Sequence, residues 1–134
     1  MNISELTACT SLPGPREWFT GEAWMEELGT LRTPAPARVL RVTFAPGARP
    51  AWHAHPLGQV LHILDGVARI GRVGEPVREL RAGDSVEFLP GERHWHGAGP
   101  GRLMSHLAVQ ATAPDAGAET VWHEHVSDTA YSVD

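Results

Sequence analysis

The sequence predicts an all-β fold, a barrel or sandwich of short antiparallel strands with an N-terminal arm, and three observations predict it. Apolar and polar residues alternate with period two, most clearly where Leu40, Val42 and Phe44 interleave with Val39, Arg41 and Thr43. Turn dipeptides recur at close spacing between such runs. Fourteen Gly and eleven Pro are spread along 134 residues rather than massed in one tract, the pattern of many short elements joined by tight turns.

The elements follow in order. Residues 1–20 are polar and punctuated by Pro and Gly, and read as an arm draped over the body of the fold. A piece within 22–28 is compatible with helix or strand. Residues 38–44 read as a half-buried strand, and further strands are expected at 51–55, 59–64, 67–72, 76–80, 84–88, 94–97, 102–110 and 119–126. Between them stand Pro46-Gly47, Asp65-Gly66, Gly74-Glu75-Pro76, Ala82-Gly83-Asp84, Pro90-Gly91 and Gly99-Pro100-Gly101. There is no internal repeat. The whole chain, 1–134, reads as a single domain with its core at 38–110 and a C-terminal strand and tail at 111–134.

Composition excludes several chemistries. All eleven basic residues are arginine, so Schiff-base catalysis and a phosphate-binding lysine loop are absent. Cys9 is the only cysteine, which rules out an internal disulfide, a thiolate zinc site or an iron–sulfur cluster, and it reads as an inert thiol. A net charge of -5 without a basic block argues against nucleic acid. The start MNISELTACT has neither a basic region nor a long apolar run, and no stretch approaches the roughly 20 apolar residues of a membrane span. A cytoplasmic location with no membrane partner is the expectation.

Eight histidines carry the chemical signal. His53 and His55 are two apart, so on a strand they share a face and can reach one ion. His96 shares its face with His94 and is expected to look into the same pocket, to support ligands or move protons. On the last long strand Met104, His106, Ala108 and Gln110 occupy one face and Leu103, Leu107 and Val109 the other. The polar-bearing face is the candidate cavity wall. Leu40, Val42, Phe44, Leu61 and Ile63 have parities that could line the same interior. His62 has the opposite parity to Gln59 and should point away. His123 and His125 repeat the spacing without a third ligand, and read as strand residues.

The spacing of these residues resembles the cupin family. Gly47, His53, His55, Gln59 and Gly66 match its first motif, with Gln where most members carry Glu. Gly83, Pro90, Gly91 and His94 match the second, with Leu89 in place of a Pro and Ala98 in place of the closing Asn. The resemblance implies a jelly-roll cupin barrel holding one divalent metal through His53, His55, Gln59 and His94. Three imidazoles and an amide would leave the full double charge on that ion, making it a strong Lewis acid. Such donors suit Mn, Fe, Co, Ni or Zn, and the resemblance favours Mn.

Trp52 to Gln59, His94 to Ala98, His106 to Gln110 and the tail from Trp122 to Tyr131 are similar to a bacterial group that includes the manganese-dependent cupin hydroxynitrile lyases. That likeness implies reversible cleavage of a cyanohydrin, a small-molecule substrate, into a carbonyl compound and cyanide. His106, aided by His96, would move the proton, and Gln110 would orient the substrate. The alternatives are a metal-dependent cupin dioxygenase and a non-catalytic small-ligand-binding cupin. Five tryptophans and the apolar face of Leu103, Leu107 and Val109 suggest a covered outer surface, most simply in a homodimer or higher homo-oligomer.

Overall fold

Alternation along the strands sorts each side chain to a face, and the computed structural model, which describes residues 1–113 and 118–133, packs those faces into a β-barrel of jelly-roll type. One sheet contains β1 (Leu12–Pro13), β3 (Ala23–Leu31), β4 (Ala37–Phe44), β12 (Met104–Ala111), β7 (Gln59–Asp65) and β10 (Ser85–Phe88), in the order β1-β3-β4-β12-β7-β10. The other runs β13-β6-β11-β8-β9, from β13 (Val121–Trp122), β6 (His53–Ala54), β11 (His94–Ala98), β8 (Val67–Arg72) and β9 (Arg78–Arg81). A small pair of β2 (Phe19–Thr20) and β5 (Arg49–Pro50) closes one end. Pairings between strands are antiparallel throughout.

The core between the sheets is built from inward residues of alternating strands. Phe44, Leu61, Ile63 and Met104 are fully buried there, with Phe88 and Ala108 beside them. Gly66 shows how tightly the β7–β8 hairpin approaches its neighbour. Its φ is 80°, and a Cβ there would stand 2.1 Å from the Leu103 carbonyl oxygen, so only glycine fits.

The expectation of strand or helix within 22–28 resolves to strand. Three expectations need correction. The strand foreseen at 51–55 is shortened to His53–Ala54, which pairs with β11, and a separate pair, Arg49–Pro50, meets Phe19–Thr20 just before it. The strand foreseen at 119–126 is confined to Val121–Trp122, because its partner β6 is two residues long. His123 and His125 are therefore exposed residues of an irregular segment, not strand residues. A short helix α1 (Asp128–Tyr131) follows, capped by Ser127 Oγ accepting from the Ala130 amide.

The tail is pinned by Arg49, which is 5% exposed and donates to the Val126 carbonyl at 2.8 Å and to Asp128 at 2.9 Å. Tyr131 lies against the guanidinium and donates its hydroxyl to the Ala98 carbonyl at 2.6 Å. Four of the five tryptophans serve the chain itself. Trp18 stacks on Trp122 and Trp52 meets Trp95 edge to face, leaving Trp24 as the exposed one. The tryptophan count thus reflects the tail and arm rather than a covered exterior. The outer sheet face does expose Leu103, Val109, Val60 and Leu64. No helix among the described residues is long and apolar enough to cross a membrane.

Candidate metal centre

Adjacent short strands bring the histidines together at one end of the barrel interior. β6 and β11 are paired with His94 opposite His53, and their ring centroids are 4.4 Å apart. Beyond β6 the chain turns through Pro56-Leu57-Gly58, where Gly58 has φ 81° and its amide donates to the His55 carbonyl. A Cβ on Gly58 would meet the Phe88 carbonyl at 3.0 Å. That close turn lets His55 and Gln59 both face inward across an odd number of intervening residues. His55 lies 5.2 Å from His53 and 5.5 Å from His94, centroid to centroid.

The donor atoms are oriented from behind. His53 Nδ1 donates to the Ala51 carbonyl at 2.7 Å, His55 Nδ1 to that of Glu119 at 3.1 Å, and His94 Nδ1 to that of Glu92 at 2.8 Å. A carbonyl only accepts, so the proton sits on Nδ1 in each ring and Nε2 carries the lone pair. His55 Nε2, His94 Nε2 and Gln59 Oε1 are buried with no hydrogen-bond partner. Orphaned acceptors at that depth are costly unless a cation or donor meets them. The residues present therefore fit a divalent ion.

Burial also keeps the rings neutral, as a ligand must be. It pushes His53 well below the ordinary histidine value, an effect deepened by neighbouring His94, and it lowers His55. His94 is held down to about 4 by burial. Its ring stacks on Phe88 at 3.6 Å.

His96 and His106 form a second group, with His106 Nε2 and His96 Nδ1 3.1 Å apart. Burial lowers His96 well below its usual value, with His106 adding to the effect, and it lowers His106 to about 4. His96 Nε2 and His106 Nδ1 have no partner. Donor atoms of His53, His94 and His96 lie within 4.8 Å of one another, a cluster that includes His96 where sequence reasoning placed His55.

A cavity of about 1280 Å³ opens above these residues. Its wall includes Leu40, Val42, Phe44, His53, His55, Gln59, His96, His106, Ala108 and Gln110, and the arm contributes Ile3, Leu6 and Cys9 among others. Leu61, Ile63 and Met104, expected in the wall, are instead fully buried in the core and do not line it. Gln110 was expected to meet substrate, yet both ends of its amide are engaged: Oε1 accepts from Gln59 Nε2 at 2.8 Å and Nε2 donates to Glu119 at 2.7 Å. His62 points outward and bonds Ser85 Oγ at 2.7 Å. Glu119 was missed by sequence reasoning. It reaches the site from the tail, and no local pattern marks it.

Comparison with known proteins agrees with this architecture. A family model described as Cupin domain matches residues 40–106. The (R)-mandelonitrile lyase of Granulicella tundricola is 44% identical over 131 residues, covering 98% of each chain. Among solved structures, a cupin-like protein from Thermotoga maritima superposes with a TM-score of 0.78 at 35% identity over 89% of each chain. A polyketide cyclase from Streptomyces resistomycificus shares the fold at TM-score 0.67 and 19% identity, over 98% of this chain and 90% of its own.

Proposed function

The chain belongs to the cupin family, and from that premise we propose that it is a metal-dependent lyase cleaving cyanohydrins to a carbonyl compound and cyanide. The observation that carries this reading is two groups side by side at one end of the barrel: three histidines with Nδ1 tied to backbone carbonyls beside the unpartnered Gln59 oxygen, and a neutral histidine pair next to them. The 44% identity to a mandelonitrile lyase along almost the whole chain supports the choice of reaction. His53, His55, Gln59 and His94 would hold the ion, which is manganese on this reading. Their shared feature, absent from His96, is support from the protein backbone or a side-chain amide rather than from another catalytic ring. A bound divalent ion would supply Lewis acidity that lowers the pKa of the substrate hydroxyl.

The histidine pair supplies the proton transfers. Two neutral imidazoles share two N–H protons, and one of them bridges His106 Nε2 and His96 Nδ1. The other must sit at one outer nitrogen, so the pair always offers one donor and one acceptor. Such a pair can take the hydroxyl proton at one end and return a proton to departing cyanide at the other, balancing the reaction without outside acid. The low pKa of His106 keeps it neutral at pH 7 and available as an acceptor. Leu40, Val42, Phe44 and Ala108 give the cavity an apolar wall suited to an aromatic or aliphatic carbonyl product. A homodimer through the exposed face of Leu103, Val109, Val60 and Leu64 belongs to the same reading.

The test is direct. Protein loaded with Mn²⁺ and given mandelonitrile is expected to release benzaldehyde and cyanide equally well in air and under argon. Full metal occupancy with no cyanide released from a panel of cyanohydrins removes the lyase, and turnover that stops under argon selects a dioxygenase.

A further inference from the structure

A glutamine can turn either its carbonyl oxygen or its NH₂ toward an ion, and only the oxygen binds. In this chain the choice at Gln59 is dictated by its neighbours along the cavity wall. The Glu119 carboxylate can only accept. One oxygen takes a hydrogen bond from Gln110 Nε2 at 2.7 Å, and the other is held by Arg38 at 2.5 Å. With its NH₂ turned to Glu119, Gln110 must present Oε1 the other way, where it accepts from Gln59 Nε2 at 2.8 Å. Gln59 is then left with its oxygen toward the cavity it lines, buried and without a partner.

We propose that Glu119 is a positioning residue which, through Gln110, sets the polarity of this relay so that Gln59 offers oxygen to the site. The proposal rests on the reading of Gln59 as a ligand, although the relay's polarity exists without an ion. Gln59 and Glu119 are therefore a matched pair. A glutamate at position 59 would put carboxylates at both ends of Gln110, which can donate to only one of them. With a glutamine at position 119 as well, the whole relay reverses: that amide donates to Gln110, Gln110 donates to the carboxylate at 59, and the new carbonyl still accepts from Arg38.

The experiment compares wild type, Gln59→Glu, Glu119→Gln and the double variant at pH 8. In metal-free protein, Gln59→Glu is expected to lower the melting temperature by about 3–10 °C, the effect of one unsatisfied buried acceptor. Adding Glu119→Gln should restore at least half of that loss. No loss, or a smaller recovery, overturns the proposal. Should Gln59→Glu alone be insoluble, a soluble double variant supports the relay and an insoluble one overturns it. In a chelator-competition titration with Mn²⁺, Glu119→Gln is expected to weaken binding by about 10–100-fold, as loss of a ligand's support does. A change below tenfold overturns the proposal. If wild type takes up no Mn²⁺, the ligand reading fails while the melting comparison still decides the relay.

Discussion

Acid should unfold the metal-free protein through its buried histidines, starting above the pH at which its carboxylates titrate. His94 and His106 are each held near 4 against an ordinary 6.5, because burial penalises the charged ring. A histidine depressed in the fold is neutral there and binds its proton only when released, so its contribution is complete above pH 6.5 and lost as pH falls toward 4. At 1.36 kcal/mol per pH unit, a shift of 2.5 units (6.5 − 4) is worth about 3 kcal/mol for each ring, or about 6–7 for the two. His53 and His96, also pushed down by burial, act in the same direction. A domain of this size has a total stability of about 5–15 kcal/mol. Chelated protein followed by tryptophan fluorescence from pH 8 to pH 3 is therefore expected to lose its fold between pH 6 and 4. Metal at a hundredfold excess over its dissociation constant adds about 2.7 kcal/mol and moves the transition downward. A metal-free protein that stays folded with unchanged denaturant midpoint down to pH 4 would refute the argument.

The other predictions are narrower. His106→Ala should keep Mn²⁺ and lose about 10²–10⁴-fold in turnover, measured as kcat on mandelonitrile beside metal content; loss of metal and stability together would point to a structural histidine. His62→Gln removes one hydrogen bond at the barrel surface and is expected to change stability by less than about 1 kcal/mol, with metal content and activity unaltered in urea melts and assays. Gly71→Ala would place a Cβ 1.9 Å from Trp95 Nε1, and Trp95 is fully buried between His94 and His96 in sequence. Overpacking there should cost about 1–3 kcal/mol and reduce metal occupancy, readable by thermal melting and metal analysis.

The parts of this site that are legible in sequence are those built by local parity. His53 and His55 sit two apart on one face, and Met104, His106, Ala108 and Gln110 alternate on β12, so their sides follow from the pleat alone. The outward turn of His62 follows by the same rule. What parity cannot supply is the partner across the fold. The bond from Arg38 to Glu119 spans 81 residues, and Glu119 lies before a strand of only two residues, too short to show a period. The turn of helix at Asp128–Tyr131 is not foreseen in the sequence, since four residues are too few for a helical stripe. Leu61, Ile63 and Met104 have the inward parity expected of them, but parity does not tell depth, and they fill the core instead of the cavity wall.

The way the tail is fastened makes a distant segment part of the scaffold behind the histidine cluster. His55 finds its backbone acceptor 64 residues later at Glu119, and Arg49 finds the Val126 carbonyl 77 residues later. Contacts of that span carry a loop-closure cost comparable to that of the pairing between β4 and β12, which joins Leu40 to Ala108. Until residues 119–131 are in place, His55 lacks its backbone acceptor at Glu119 and Gln110 lacks the carboxylate that braces it. A fusion or trim that disturbs residues 119–131 therefore acts on the histidine cluster even though those residues lie far from it in sequence.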